Sequence, residues 1–132
     1  MPAVELPDLP VLAISFIRSK TTWTDVSTKV KNPRPAKYVQ VIDGGGPANR
    51  VFVDALLTVT VGADASGGEN GDTIARREAR KLHHAFLNDS AEMPLVRGVE
   101  SVSSPYFDPD PDTGGDRYSF TIRWRVRGAR VN

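Results

Sequence analysis

The chain has 132 residues, of which 39% are hydrophobic and 25% are charged, so its length and composition are those of a soluble globular fold with a single core. Seventeen basic and sixteen acidic side chains give a formal net charge of +1, which excludes a global field able to hold nucleic acid or an anionic membrane. The chain has no cysteine, which excludes a disulfide framework and any thiolate metal site and favours a reducing compartment. We therefore expect residues 1–132 to form one domain.

The first predicted element is a helix over residues 8–20, although its apolar residues are too dense for periodicity to separate a helix from a strand. The apolar run at residues 11–17 is far shorter than the roughly 20 residues that a membrane span needs. Glu5 and Asp8 precede this run, whereas a signal peptide begins with basic residues. We therefore expect a soluble cytosolic protein without a membrane partner. Whether residues 1–20 form a core helix or an arm that reaches a neighbour stays open.

Three strands are predicted in the first half of the chain, at residues 26–30, 38–42 and 51–61. The second strand is followed by Asp43-Gly-Gly-Gly-Pro47, which is a strong turn signal. The third strand has a period of two, which predicts one buried side. That side consists of Val51, Val53, Ala55, Leu57, Val59 and Val61.

A second helix is predicted over residues 74–88, with Asp72 or Thr73 as its N-cap. Apolar residues recur at spacings of four, three and four and form one stripe that faces a core, namely Ala75, Ala79, Leu82 and Phe86. The other side of the helix is basic and carries Arg76, Arg77, Arg80, Lys81 and His84.

Two further strands are predicted at residues 95–102 and 117–127. In the last strand every even position is apolar or aromatic and every odd position is polar, so one side is buried and the other is not. The order of the elements predicts an α+β fold, with a mostly antiparallel sheet of four to five strands and two helices packed on one face. Long connections rich in Gly, Pro and Asp interrupt it at residues 44–50, 62–71 and 103–116.

The acidic connection resembles a calcium-binding loop only in part. Asp108, Asp110 and Asp112 match the first three ligand positions of such a loop. The sixth position is Thr113 instead of glycine, and the twelfth is Ser119 instead of a bidentate glutamate. We therefore expect a solvated, partly extended connection and no metal.

The remaining candidate motifs do not predict catalysis. His83 and His84 are adjacent on a helix, about 100° apart, and cannot share a metal ion. His84 is expected on the solvated side and His83 at its margin. There is no Gly-x-Ser-x-Gly elbow, and the glycine run at residues 44–46 lacks the Gly-Lys-Ser/Thr of a phosphate-binding loop. We expect no enzyme and no cofactor.

The basic side of the second helix brings like charges together at i, i+4 spacing, which costs a few tenths of a kcal/mol per pair. Three interpretations follow: a surface balanced by the chain's own carboxylates, a contact with an acidic protein, or a contact with DNA. DNA is disfavoured because the chain is almost neutral and no aromatic residues lie among the basic ones. The odd positions of the last strand, including Arg123, Arg125 and Arg127, are either solvated or packed on a neighbouring sheet.

Several motifs in order give the chain a resemblance to the tail terminator proteins of long-tailed bacteriophages, especially those that infect actinobacteria. The resemblance covers residues 26–128 and rests on turns and patterning. The motifs are Val26-Ser-Thr-Lys-Val30, Asn32-Pro-Arg-Pro35, Tyr38-Val-Gln-Val-Ile-Asp-Gly-Gly-Gly46, Ala63-Asp-Ala65, Ala75-Arg-Arg-Glu-Ala-Arg-Lys-Leu82, Ser104-Pro-Tyr-Phe-Asp-Pro-Asp110 and Arg117-Tyr-Ser-Phe-Thr-Ile-Arg123.

The resemblance implies a structural virion protein of the tail or neck that is assembled in the host cytoplasm. Such proteins form a homo-oligomeric ring, typically a hexamer, that caps the tail tube, stops its polymerisation and docks the head-tail connector protein. DNA passes through the lumen of the ring without specific recognition. A head-to-tail ring needs two different patches on each subunit. Arg77, Arg80 and Lys81 are expected in one patch, and the acidic residues 108–116 of a neighbour in the other.

Two alternative functions stay open from the sequence. A head-tail connector or completion protein of the neck has a similar size and patterning. A small nucleic-acid-binding domain that uses the arginines of the last strand belongs to a different class, and salt-sensitive binding to duplex DNA would indicate it.

Overall fold

The computed structural model describes residues 3–131, and it confirms the α+β class and the two helices on one face. The helices are α1 (Leu9–Lys20) and α2 (Gly71–Asn88), and a short 3₁₀ turn (Ser90–Glu92) follows α2. The strands are β1 (Ala3–Glu5), β2 (Val26–Ser27), β3 (Lys37–Gly45), β4 (Phe52–Ala63), β5 (Val96–Phe107), β6 (Arg117–Arg127) and β7 (Ala129–Val131).

Five of these strands form one sheet in the order β2-β3-β4-β6-β5. The pair β2–β3 is parallel, and the other neighbouring pairs of this sheet are antiparallel. β1 and β7 pair with each other in a separate antiparallel ribbon. The central pair β4–β6 is in continuous register from Phe52↔Arg127 to Gly62↔Arg117, so the alternating apolar sides of both strands coincide.

The core lies between the sheet and both helices. The apolar sides of β4 and β6 are buried, as the period of two predicts, and the stripe of α2 packs on them. Val51, which was also predicted on the buried side, lies before β4 and is 47% exposed. The ring of Phe86 lies 4.9 Å from that of Phe16 on α1 and 6.2 Å from those of Phe120 and Trp124 on β6. These aromatic contacts join the two helices to the sheet.

The opposite face of the sheet, which we call the open face, carries the other side chains of β3, β4 and β6. At one end it is covered by the connection between β5 and β6, and Tyr38 and Ser119 are buried there. At the other end the exposed side chains include Ile42, Leu56 and Arg123. The open face is therefore half covered by this chain.

The two edge strands of the sheet are irregular. β2 has only two residues, and its Val26 carbonyl oxygen accepts a hydrogen bond of 3.2 Å from Arg18 Nη2. β5 is long, but its register with β6 shifts at three places, between Val96 and Gly98, between Ser101 and Ser103, and between Ser103 and Tyr106.

Several predicted boundaries were wrong. The strand predicted at residues 26–30 ends at Ser27, and β5 continues to Phe107, into a region predicted as a loop. α2 begins three residues before the predicted start, because Asn70 and not Asp72 or Thr73 is its N-cap. The short strands β1 and β7 were not predicted, since neither has enough residues to display a period.

Candidate functional site

The connection between β5 and β6 is anchored by a buried aspartate, which contradicts the prediction of a solvated loop. Asp110 is only 2% exposed. Its Oδ2 accepts hydrogen bonds from Arg34 Nε (2.9 Å) and Tyr38 Oη (3.1 Å), and its Oδ1 accepts one from the Asp112 backbone N–H (2.9 Å). The loop is thus fixed across one end of the open face.

The electrostatic environment of Asp110 keeps its carboxyl ionised. Burial by itself raises its pKa, but the hydrogen bonds from Arg34, from the Asp112 backbone and from Tyr38 outweigh burial. The pKa of Asp110 therefore lies far below the usual value for aspartate. Burial and the neighbouring Asp110 carboxylate raise the pKa of the Tyr38 hydroxyl, so Tyr38 stays a hydrogen-bond donor.

The other two predicted aspartates of this loop also have partners within the chain. Asp108 Oδ2 accepts hydrogen bonds from Ser119 Oγ (2.7 Å) and Arg117 Nη2 (3.3 Å). Asp112 is exposed, and its Oδ2 accepts from Arg34 Nη2 at 2.9 Å. Two arginines therefore hold the loop, and Arg34 was not singled out from the sequence because it lies 76 residues before Asp110.

No group of three or more His, Cys, Asp or Glu side chains within residues 3–131 is placed to hold a metal ion. The three loop aspartates that match a calcium pattern bond to Arg34, Arg117 and neighbouring donors instead. Their arrangement serves to attach the loop to the sheet.

The basic residues of α2 divide into two groups by their partners. Arg77 makes a bidentate ion pair with Glu69 (2.6 and 2.9 Å), and Lys81 Nζ lies 3.6 Å from Glu78 Oε1. In contrast, Arg76 and Arg80 have no carboxylate oxygen within 4 Å in the described part of the chain. The chain's own carboxylates thus balance one side of the basic surface and leave the other unbalanced.

The two histidines have different environments. His83 is buried, where a marginal position was predicted, and its Nε2 lies 2.9 Å from Ser101 Oγ on β5. Its ring packs edge-on against Phe120 at 5.2 Å. Burial, and to a smaller extent the neighbouring His84, lower the pKa of His83. His84 is exposed as predicted and lines a shallow depression with Thr73, Arg76, Arg77 and Arg80.

The predicted arginines of β6 lie on the open face and differ in their contacts. Arg125 makes a bidentate ion pair with Asp54 (2.9 and 3.0 Å) and stacks over the Phe52 ring at 4.4 Å. Hydrogen bonding to Arg125 lowers the pKa of Asp54 despite some desolvation. Arg123 lies opposite Leu56 and Glu100 in the sheet register, with no carboxylate oxygen within 4 Å among residues 3–131. Arg125 is thus fixed by two contacts within the sheet, whereas Arg123 is exposed and lines a depression with Asp54 and Glu100.

The predicted site residues therefore occupy three separate regions: the buried loop anchor, the outer side of α2 and the open face. None of the helices within residues 3–131 is long and apolar enough to cross a membrane. In the comparisons with known proteins, no protein-family model matches this chain, and no curated protein matches it either.

Proposed function

We propose that this chain is a structural subunit of the neck of a long-tailed phage, which forms a ring on the finished tail tube. In that role it stops tube polymerisation and provides the surface on which the head-tail connector docks. The proposal begins with the resemblance of residues 26–128 to tail terminator proteins. The surfaces of the folded chain support it independently.

The observation that carries the proposal is the presence of two chemically different exposed surfaces on opposite sides of the sheet. A closed ring with head-to-tail contacts needs two such surfaces, because each subunit meets one neighbour through each of them. The outer side of α2 is polar and cationic. The uncovered half of the open face lies across the sheet from α2 and has exposed apolar residues.

The uncovered half of the open face has the composition of a protein interface. Ile42 is 45% exposed and Leu56 is 37% exposed, and they lie diagonally across β3 and β4. The hydroxyls of Thr58 and Thr121 beside them hydrogen-bond to each other at 2.9 Å, which satisfies one of the two hydroxyl donors within the sheet. Arg123 lies at the rim. An apolar centre with an arginine at its edge is typical of a surface that is buried on association.

The test is the solution mass of the purified chain by light scattering across concentration, combined with a tube-growth assay. We expect a discrete closed ring, with about six subunits as the resemblance to tail terminator proteins implies, and shorter tubes when the chain is added to polymerising tube protein. A chain that binds the head side of the neck and leaves tube length unchanged would contradict the terminator role and indicate the connector. A chain that neither closes into a ring nor limits tube length would refute the proposal.

A further inference from the structure

One row of side chains on α2, two arginines and a histidine, has no ion-pair partner within residues 3–131. Arg76, Arg80 and His84 follow one another at i, i+4 spacing and are all exposed. Residues four apart on a helix project from the same side, about 6 Å apart along the axis. We name these three side chains the α2 row, which extends over about 12 Å.

The energetics of the α2 row favour an external partner. Like charges at i, i+4 destabilise a helix by about 0.2–0.5 kcal/mol per pair. The chain satisfies the neighbouring Arg77 and Lys81 with Glu69 and Glu78, and the α2 row receives no such carboxylate within residues 3–131. The row therefore presents an uncompensated positive charge on a rigid helix.

Acidic side chains lie beyond both ends of the α2 row. Asp72 lies one turn before Arg76 and accepts a hydrogen bond from Tyr118 at 2.6 Å. At the other end, Asp89 and Glu92 pair with Lys20 at 3.1 and 2.7 Å. The phosphates of a nucleic-acid duplex recur about every 3.4 Å along each strand. A duplex bound along the row would therefore bring phosphates close to the carboxylates at both ends, which would repel them. A short acidic segment of a protein fits between them.

The spacing of the α2 row also matches an extended protein segment. Alternate residues of a strand project to the same side about 6.6 to 6.8 Å apart, close to the spacing of the row. This chain has one segment with alternating aspartates, at residues 108–112, but Asp108 and Asp110 already accept hydrogen bonds from Arg117, Ser119, Arg34 and Tyr38. A second copy of the chain would have to break those bonds in order to dock there.

We infer that the α2 row is a docking site for an extended acidic segment of a different protein, with carboxylates at alternate positions. The arginines provide charge-assisted hydrogen bonds, and Leu87, 38% exposed and one helical turn beyond His83, gives the site an apolar margin. The ring proposed above is compatible with this site only where the neighbouring subunit contacts α2 on the side of Arg77 and Lys81, which are already paired with Glu69 and Glu78. The inference concerns Arg76, Arg80 and His84 alone and does not depend on ring formation.

Fluorescence anisotropy with labelled peptides tests the inference. The first peptide alternates glutamate and threonine over six residues, and the second has the same composition with its three glutamates consecutive. We expect the alternating peptide to bind at least about threefold more tightly, because only it presents three carboxylates on one side. Arg76→Glu with Arg80→Glu should weaken its binding at least about tenfold.

The matched control is Lys29→Glu with Arg50→Glu, which makes the same charge change at exposed residues in the connections before and after β3, a strand that does not contact α2. We expect it to change peptide affinity less than about twofold at roughly 0.15 M salt, where distant surface charges are screened. Arg76→Gln with Arg80→Gln should also weaken binding, which separates lost attraction from added repulsion. Circular dichroism verifies that each variant is folded.

Three results would overturn the inference. An equal loss of affinity in the control variant would mean that net charge alone attracts the peptide. Equal binding of the two peptides would remove the role of spacing. A duplex of about twelve base pairs that competes with the peptide and depends more strongly on Arg76 and Arg80 would indicate a nucleic-acid site instead. Light scattering on the same variants reports the ring separately, so the two proposals can fail independently.

Discussion

Asp110 illustrates how one buried charge can fix a whole loop. Its carboxylate is 2% exposed and receives three hydrogen bonds, from Arg34, Tyr38 and the Asp112 backbone. Asp110→Ala would leave the first two donors without their acceptor and open a space beneath the loop. We expect the free energy of unfolding to fall by about 2–3 kcal/mol, as measured by urea denaturation.

Asp112→Ala is the control for Asp110, since the Asp112 side chain is 74% exposed and accepts one hydrogen bond from Arg34. The control should cost less than about 1 kcal/mol, as exposed ion pairs do. Equal costs for the two substitutions would mean that the anchoring role assigned to Asp110 is wrong.

His83 gives stability a dependence on pH. Its pKa is lowered in the folded chain, so the unfolded chain takes up a proton first as the pH decreases. The contribution of neutral His83 is complete above the unfolded pKa of about 6.5 and is lost as the pH falls through the folded pKa. His83→Gln, which keeps a side-chain hydrogen-bonding group near Ser101, should flatten the decline of unfolding free energy between about pH 7 and 5. If the unfolding free energy of His83→Gln declines as steeply as that of the original chain, groups other than His83 cause the pH dependence.

The start of α2 is determined by one capping residue. Asn70 accepts a hydrogen bond of 2.8 Å from the Thr73 backbone N–H, although the sequence favoured Asp72 or Thr73 as the cap. We expect Asn70→Ala to lower the free energy of unfolding by about 1 kcal/mol. Thr73→Ala should change it much less, because the Thr73 side chain does not cap the helix. Chemical denaturation measures the unfolding free energy of both variants. A larger loss for Thr73→Ala than for Asn70→Ala would mean that Thr73 caps α2, as the sequence predicted.

The elements that could be predicted are those whose own residues display a period. The alternation in β6 and the stripe of α2 are each complete within one segment, and both were located correctly. The parallel pairing of β2 with β3 and the burial of Asp110 depend on partners that local patterns do not reveal. His83 was misplaced because it lies beside the apolar stripe of α2, and only the position of β5 decides that it is buried.

Contacts between side chains also determine the candidate site, and local patterns did not reveal them. The basic side of α2 was predicted, but the sequence did not show that Glu69 and Glu78 neutralise Arg77 and Lys81. The unbalanced charges could be identified only once the side chains were placed. The uncovered half of the open face was likewise invisible in the sequence, because an apolar residue such as Ile42 or Leu56 is usually assigned to a core.

At the scale of the whole molecule, the ring proposal predicts which exposed apolar residues matter. Ile42→Lys with Leu56→Lys should abolish the discrete ring in light scattering, because two charges would be buried at the contact. The unfolding free energy should change by less than about 1 kcal/mol, since both side chains are partly exposed.

A control with the same charge change outside the open face is Val11→Lys with Thr28→Lys. Val11 is 61% exposed on α1, and Thr28 is exposed beyond β2. This variant should keep the ring. If it dissociates as the first variant does, the loss reflects added net charge, and the open face has no particular role in assembly.

The irregular edges of the sheet have a consequence for how the protein tolerates high concentration. A long, flat edge strand offers unpaired backbone groups to other chains and promotes fibre growth. Here the three register shifts of β5 interrupt one edge, and Arg18 occupies a carbonyl of the two-residue β2 at the other. Neither edge is a good template for an incoming strand. Pairing of further strands onto the sheet edges is therefore disfavoured, and the folded chain is a poor seed for amyloid-like stacks.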